Sequence, residues 1–106
     1  MSKAVAEFAK LVEKLDTAEH IEVGQMFGKA CIKVNGKAFI SQHNETLVFK
    51  LSGPNHQKAL AVKGAVLWDP SGKGRPMKEW VALPAAESKH FSTLANAALD
   101  YVGSAS

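Results

Sequence analysis

Apolar positions in the first seventeen residues recur at three- and four-residue spacing: Val5, Phe8, Val12 and Leu15, widened by Leu11. Lys3, Glu7, Lys10, Glu13 and Lys14 take the other faces. This pattern predicts an amphipathic helix over 1–17 that packs on a partner surface, with Ser2 able to cap its start. The period then changes. Ile21 to Phe27 predicts a first short strand, and Asn35-Gly36 between apolar-rich runs is the strongest hairpin signal in the chain, because a type I′ turn requires positive φ at both central residues. A two-residue turn there pairs Val34 with Lys37, Ile32 with Phe39 and Ala30 with Ser41, leaving Lys33 with Ala38 and Cys31 with Ile40 on the other face. A three-residue turn at His43-Asn44-Glu45 brings Phe49 opposite Phe39 and Leu47 opposite Ser41. The expected result is a β-meander over 21–51 with Ile32, Phe39, Leu47, Phe49 and Leu51 stacked on its core face. The reverse face carries Cys31, Ile40 and Val48 among Lys29, Lys33 and Lys50, apolar enough to call for cover by a later helix or a second subunit.

Ser52-Gly53-Pro54 breaks the meander, and Pro54 suits the start of a short helix over 54–62 that Gly64 ends. Two strands over 65–83 follow, Ala65 to Trp68 and Lys78 to Leu83, joined by a loop of turn formers from Asp69 to Pro76. Pro84 opens a C-terminal helix over 85–102, with Phe91, Leu94, Ala95, Ala98, Leu99 and Val102 on its apolar face. The fold class expected is α+β: one domain over 1–106, an antiparallel meander flanked by N-terminal and C-terminal helices.

Length leaves no room for a second core, since 106 residues make one domain. A single cysteine, Cys31, forms no internal disulfide, and Met1-Ser2-Lys3-Ala4 lacks the apolar core of a signal peptide. No run reaches the roughly 18 apolar residues that span a bilayer. The expected compartment is the cytoplasm, with no membrane partner.

The net charge of +3 is unevenly spread. The segment from Pro54 to Leu83 alone carries +3, through Lys58, Lys63, Lys73, Arg75 and Lys78 against Asp69 and Glu79. Trp68 and Trp80 flank the basic loop, an arrangement suited to stacking on bases or tracking phosphates, although tryptophans in adjacent strands also serve as core anchors. Gly72-Lys73-Gly74-Arg75 is not a nucleotide P-loop, because prolines bracket it and a strand follows it. It could still offer glycine N–H groups to an anion, with Asp69 and Glu79 orienting the loop. Lys73, Arg75, Lys78, Trp68 and Trp80 are therefore the candidate contacts for an anion, nucleic acid or another partner.

Catalytic chemistry has little to stand on. His20, His43, His56 and His90 are scattered without ligand spacing, so no metal or cofactor is expected. Cys31 becomes a nucleophile only with a nearby base, and a small strand residue explains it more simply. No Gly-x-Ser-x-Gly elbow occurs.

The segments Met26-Phe27-Gly28, Gly36-Lys37-Ala38-Phe39 and Leu47-Val48-Phe49-Lys50-Leu51 resemble the N-terminal domain of the TfoX/Sxy family and the similarly built MmcQ/YjbR group. The likeness extends through Asp69-Pro70-Ser71-Gly72 and Arg75 to Trp80 into the last helix. In place of the glycine-rich continuation typical of TfoX, this chain has Lys29-Ala30-Cys31, and the second TfoX domain is not expected within 106 residues. The resemblance implies an antiparallel sheet with helices packed against it, no catalytic residues, and a regulatory role of the kind TfoX proteins play for competence genes and the DNA binding ascribed to the YjbR group. The expectation is a non-enzymatic regulatory accessory contacting nucleic acid or a transcription-related protein. The alternatives are a protein-interaction or homodimerisation module with no nucleic-acid role, and a binder of small ligands in an apolar pocket between sheet and helices.

Overall fold

In the computed structural model, which describes residues 3–15, 20–26, 28–69, 74 and 76–104, Asn35 and Gly36 both take left-handed backbone, at φ 52 and 79. They turn β2 (Lys29–Val34) into β3 (Lys37–His43) as a type I′ pair demands. With β1 (Ile21–Met26) before them and β4 (Thr46–Lys50) after, they form the meander expected over 21–51. β5 (Val66–Trp68) and β6 (Met77–Pro84) complete a six-stranded sheet in the order β1-β2-β3-β4-β6-β5, with every neighbouring pair antiparallel. The chain is α+β as expected.

The register differs from expectation at one residue, and the difference propagates. Lys33 pairs with Ala38 as expected, but Ile32 then faces Ile40 and Cys31 faces Ser41, so Phe39 has no cross-strand partner on β2. Phe39 is the extra residue of a β-bulge. A bulge turns two consecutive side chains toward one side of a sheet, and Phe39 and Ile40 both join the core under the helices, fully buried. Ile40 therefore does not share the reverse face with Cys31. The next turn has two residues, Asn44 and Glu45, rather than three, because Asn44 accepts φ 52 and His43 remains paired with Thr46. Ile40, not Phe39, consequently faces Phe49, and Gln42, not Ser41, faces Leu47.

All helices lie over one face. α1 (Lys3–Leu15) buries Ala4, Phe8, Leu11 and Leu15, whereas Val5 is 40% exposed and Val12 only partly covered. Its contact stripe is thus rotated toward Leu11 from the one expected through Val5 and Val12. The cap expected of Ser2 lies outside the described residues. α2 (Gly53–Leu60) starts one residue before Pro54, after Ser52 at the cap position. The C-terminal helix begins later than expected. Residues Ala85–His90 are 3-10, with Glu87 off helical geometry at φ −95 and ψ 31, and α3 runs Phe91–Ser104. The Ala85 N–H donates to the Glu45 carbonyl at 2.9 Å, tying the 3-10 turn to the β3–β4 corner before α3 can begin. Phe91 then packs on Phe49 with ring centroids 5.6 Å apart. Lys14 donates to Ser92, and Tyr101 to Glu79, so α3 is fastened to α1 and to β6.

Candidate nucleic-acid interface

Among the described residues no helix packs on the reverse face of the sheet. Strand alternation and register place on it Glu22 and Gly24 of β1, Lys29, Cys31 and Lys33 of β2, and Ala38, Ser41 and His43 of β3. Thr46, Val48 and Lys50 of β4 join them, with Trp80 and Ala82 of β6 and Val66 and Trp68 of β5. Among the described residues no helix supplies the expected cover; side chains of the sheet itself do part of it. Val48, Trp68, Trp80 and Ala82 form a small cluster of their own, with Ala38 and Met77 at its border. The lysine side chain of Lys33 lies across β1, its Cε 3.1 Å from where a Cβ on Gly24 would stand. Cys31 and Val48 are thus fully buried within a single chain, and Ser41 is satisfied by donating to the Ala30 carbonyl at 2.9 Å.

Trp68 and Trp80 are 2% and 5% exposed, with ring centroids 5.4 Å apart and planes at 57°. Rings so covered serve as anchors of the reverse-face cluster and have no free surface on which a base could stack. Trp68 is also fixed at its polar end: its Nε1 donates to Nδ1 of His43 at 2.7 Å. An indole nitrogen only donates, so Nδ1 holds its lone pair and the imidazole proton sits on Nε2. Burial first, and then the charge of Lys29, lower the His43 pKa below its ordinary 6.5. Sequence reasoning had no means of pairing these residues, since 25 positions separate them. Beside the pair lies a hollow of 270 Å³ bordered by Thr46, Val66 and Asp69.

Of the basic candidates, Lys73 and Arg75 lie outside the described residues, and Lys78 is exposed at the start of β6. Lys78 is held through its main chain, where Nε2 of His56 donates to its carbonyl at 2.7 Å. Asp69 orients the loop as expected, accepting the Gly74 N–H at 2.8 Å. That bond removes one of the glycine donors an anion would use. The three candidates among the described residues thus divide into two tryptophans in a packed cluster and an exposed lysine.

The basic groups that share the reverse face are Lys29, Lys33 and Lys50, with Glu22 as the acid among them. Cys31, deep between Lys29 and Lys33, has its thiol pushed above the usual value by burial, with the Lys33 charge pulling it partly back. It has the environment of a packing residue, not of an activated nucleophile. Among the described residues no three His, Cys, Asp or Glu side chains gather as metal ligands would, and no helix is long and apolar enough to cross a membrane. A second hollow, of 280 Å³, lies between α2 and α3 beside Lys58, Val62 and His90, not between sheet and helices. Comparison of the chain with protein-family models, with curated proteins and with solved structures returns no match.

Proposed function

We propose that the protein is a non-enzymatic binding module for nucleic acid, a regulatory accessory of the TfoX N-terminal kind, which meets phosphates with the helix-free face of its sheet and the adjoining basic loop. One observation carries the reading. Every described helix packs on one face, and the strands present on the other Lys29, Lys33 and Lys50 with Glu22 as the acid among them. The sheet spaces these ammonium groups along a surface, Lys78 is exposed at the start of β6, and Lys73 and Arg75 add two further charges in the sequence between β5 and β6. Affinity from such an array comes from counterion release, so it is weak, salt-sensitive and largely indifferent to sequence. Trp68 and Trp80 contribute as packed members of the reverse-face cluster, not by stacking.

The test is a titration of single- and double-stranded oligonucleotides at several salt concentrations. Each lysine that meets a phosphate of a duplex adds about −0.9 to the log–log salt slope, so replacing Lys29 and Lys50 by Gln should flatten it by roughly 2. Replacing Lys73, Arg75 and Lys78 by Ala reads the share of the loop. Absence of binding at low salt sinks the proposal and favours a module whose partners are proteins.

A further inference from the structure

The two edges of the sheet are unlike. β5 has three residues and is broken by a register shift, whereas β1 has six and pairs with β2 without interruption. Exposed edges in monomeric proteins are usually blunted by proline, lysine, a bulge or brevity. Ile21–Met26 has none of these, and Val23 is 55% exposed on it.

The hydrogen-bond phase of this edge can be read off. The Asn35 N–H donates to the His20 carbonyl, and bonded pairs alternate along an antiparallel ladder. The bonded pairs are then Glu22–Lys33, Gly24–Cys31 and Met26–Lys29. Ile21, Val23 and Gln25 accordingly point their N–H and C=O groups away from β2, toward the edge that no other described strand pairs. Their side chains also share the helix side of the sheet, because Val23 is paired with Ile32.

We propose that β1 is the pairing edge for a second copy of this chain, joined antiparallel about a two-fold axis through Val23. Side chains opposite each other across such a joint must lie on the same side of the sheet, so odd residues meet odd residues. Centring on Val23 places Ile21 opposite Gln25 of the copy and Val23 opposite its own counterpart. All three outward-facing residues then exchange main-chain hydrogen bonds, and any shifted register leaves some unpaired. On the reverse face the same register sets Glu22 of one copy against Gly24 of the other. That position is already marked by a charge, since the Nζ of Lys33 lies 3.3 Å from the missing Cβ of Gly24. Glu22 of each copy thus meets Lys33 of the other in the space the glycine leaves. The edge is complementary to itself in hydrogen bonding, apolar contact and charge. Being a single strand pair, the interface is small and the dimer concentration-dependent. The inference shares Lys33 and Glu22 with the proposed lysine face but is read by mass without nucleic acid, so each can fail without the other.

Sedimentation of the full chain over a wide concentration range tests it. The expected mass moves from the 11.4 kDa monomer toward twice that value. Amide exchange at Ile21, Val23 and Gln25 should slow as the dimer fills. Val23→Pro removes an N–H that the chain itself does not use, and should leave a folded monomer at every concentration. Should that variant fold poorly, charge reversal decides: Glu22→Lys and Lys33→Glu each weaken association about tenfold, and mixing the two variants restores it. The proposal is overturned by a wild-type chain that stays monomeric, by a dimer indifferent to Val23→Pro, or by a mixture of charge variants that associates no better than either alone.

Discussion

His43 shows how one side chain couples the reverse face to pH. Its Nδ1 must remain unprotonated to accept from Trp68, and its pKa lies below the ordinary 6.5 because of burial and then Lys29. In the unfolded chain the imidazole returns to its ordinary value. As pH falls through 6.5 the unfolded state takes up the proton first, so the stability from neutral His43 is present above that pH and is lost on acidification toward the folded pKa. Thermal melts between about pH 7 and pH 5 should show this fall, and His43→Gln, which keeps an acceptor for the indole, should lessen it. Phe39 makes the opposite lesson at the same scale. It is fully buried, and Phe39→Ala should cost about 3 to 5 kcal/mol in denaturant unfolding, as for other core aromatics. Its burial was legible from the sequence although its partner was not. Hydrophobicity marks which residues are inside, whereas register depends on where the ladder admits an extra residue. The adjacent pair Phe39-Ile40, two large apolar side chains in succession within a strand, is the mark such a bulge leaves.

Among the elements, those legible in advance were the ones whose turns are chemically specified. Asn35-Gly36 fixed the central hairpin, and Gly36 at φ 79 holds a conformation that β-branched residues resist. Gly36→Val should lower the melting temperature well below that of Gly36→Asn, since asparagine tolerates the left-handed region. Gly64 is a stricter case. It has φ 80, and a Cβ there would stand 2.7 Å from Cγ of Pro84, so the turn that follows α2 is pressed against the end of β6. Gly64→Ala combines backbone strain with a collision and should destabilise by about 1 to 3 kcal/mol in equilibrium unfolding, where glycine-to-alanine changes at unstrained sites stabilise. Elements set by distant contacts were less legible. The late start of α3 follows from the bond between Ala85 and Glu45, forty residues apart in sequence, which no local pattern encodes. The rotation of α1 onto Leu11 likewise depends on which residues of the sheet and the 3-10 turn lie beneath it.

Across the whole molecule, the helices gather the larger hydrophobic cluster on one face and leave a smaller one, built around two tryptophans, on the other. This division explains why the candidate site was only half legible. Charge summed by segment led to the loop and to its flanking tryptophans, but segmental charge says nothing of which strand faces are bare, so Lys29, Lys33 and Lys50 were noted without being joined to the site. It also makes folding and binding separable by experiment. Exposed loop charges contribute little to stability, so Ala at Lys73, Arg75 and Lys78 should leave the melting temperature near that of the wild type while weakening any nucleic-acid affinity. Trp68→Ala and Trp80→Ala should do the reverse of what a stacking role requires. Each empties a buried site and should cost about 3 to 5 kcal/mol of folding stability. At temperatures where such variants remain folded, their salt slope should match the wild type, because they remove no cation. Intrinsic fluorescence checks the same division in the native chain: with both indoles buried, acrylamide should quench them weakly, and saturation with an oligonucleotide should not increase their protection. A strong gain in protection on binding would instead place the rings in contact with bases and return them to the site.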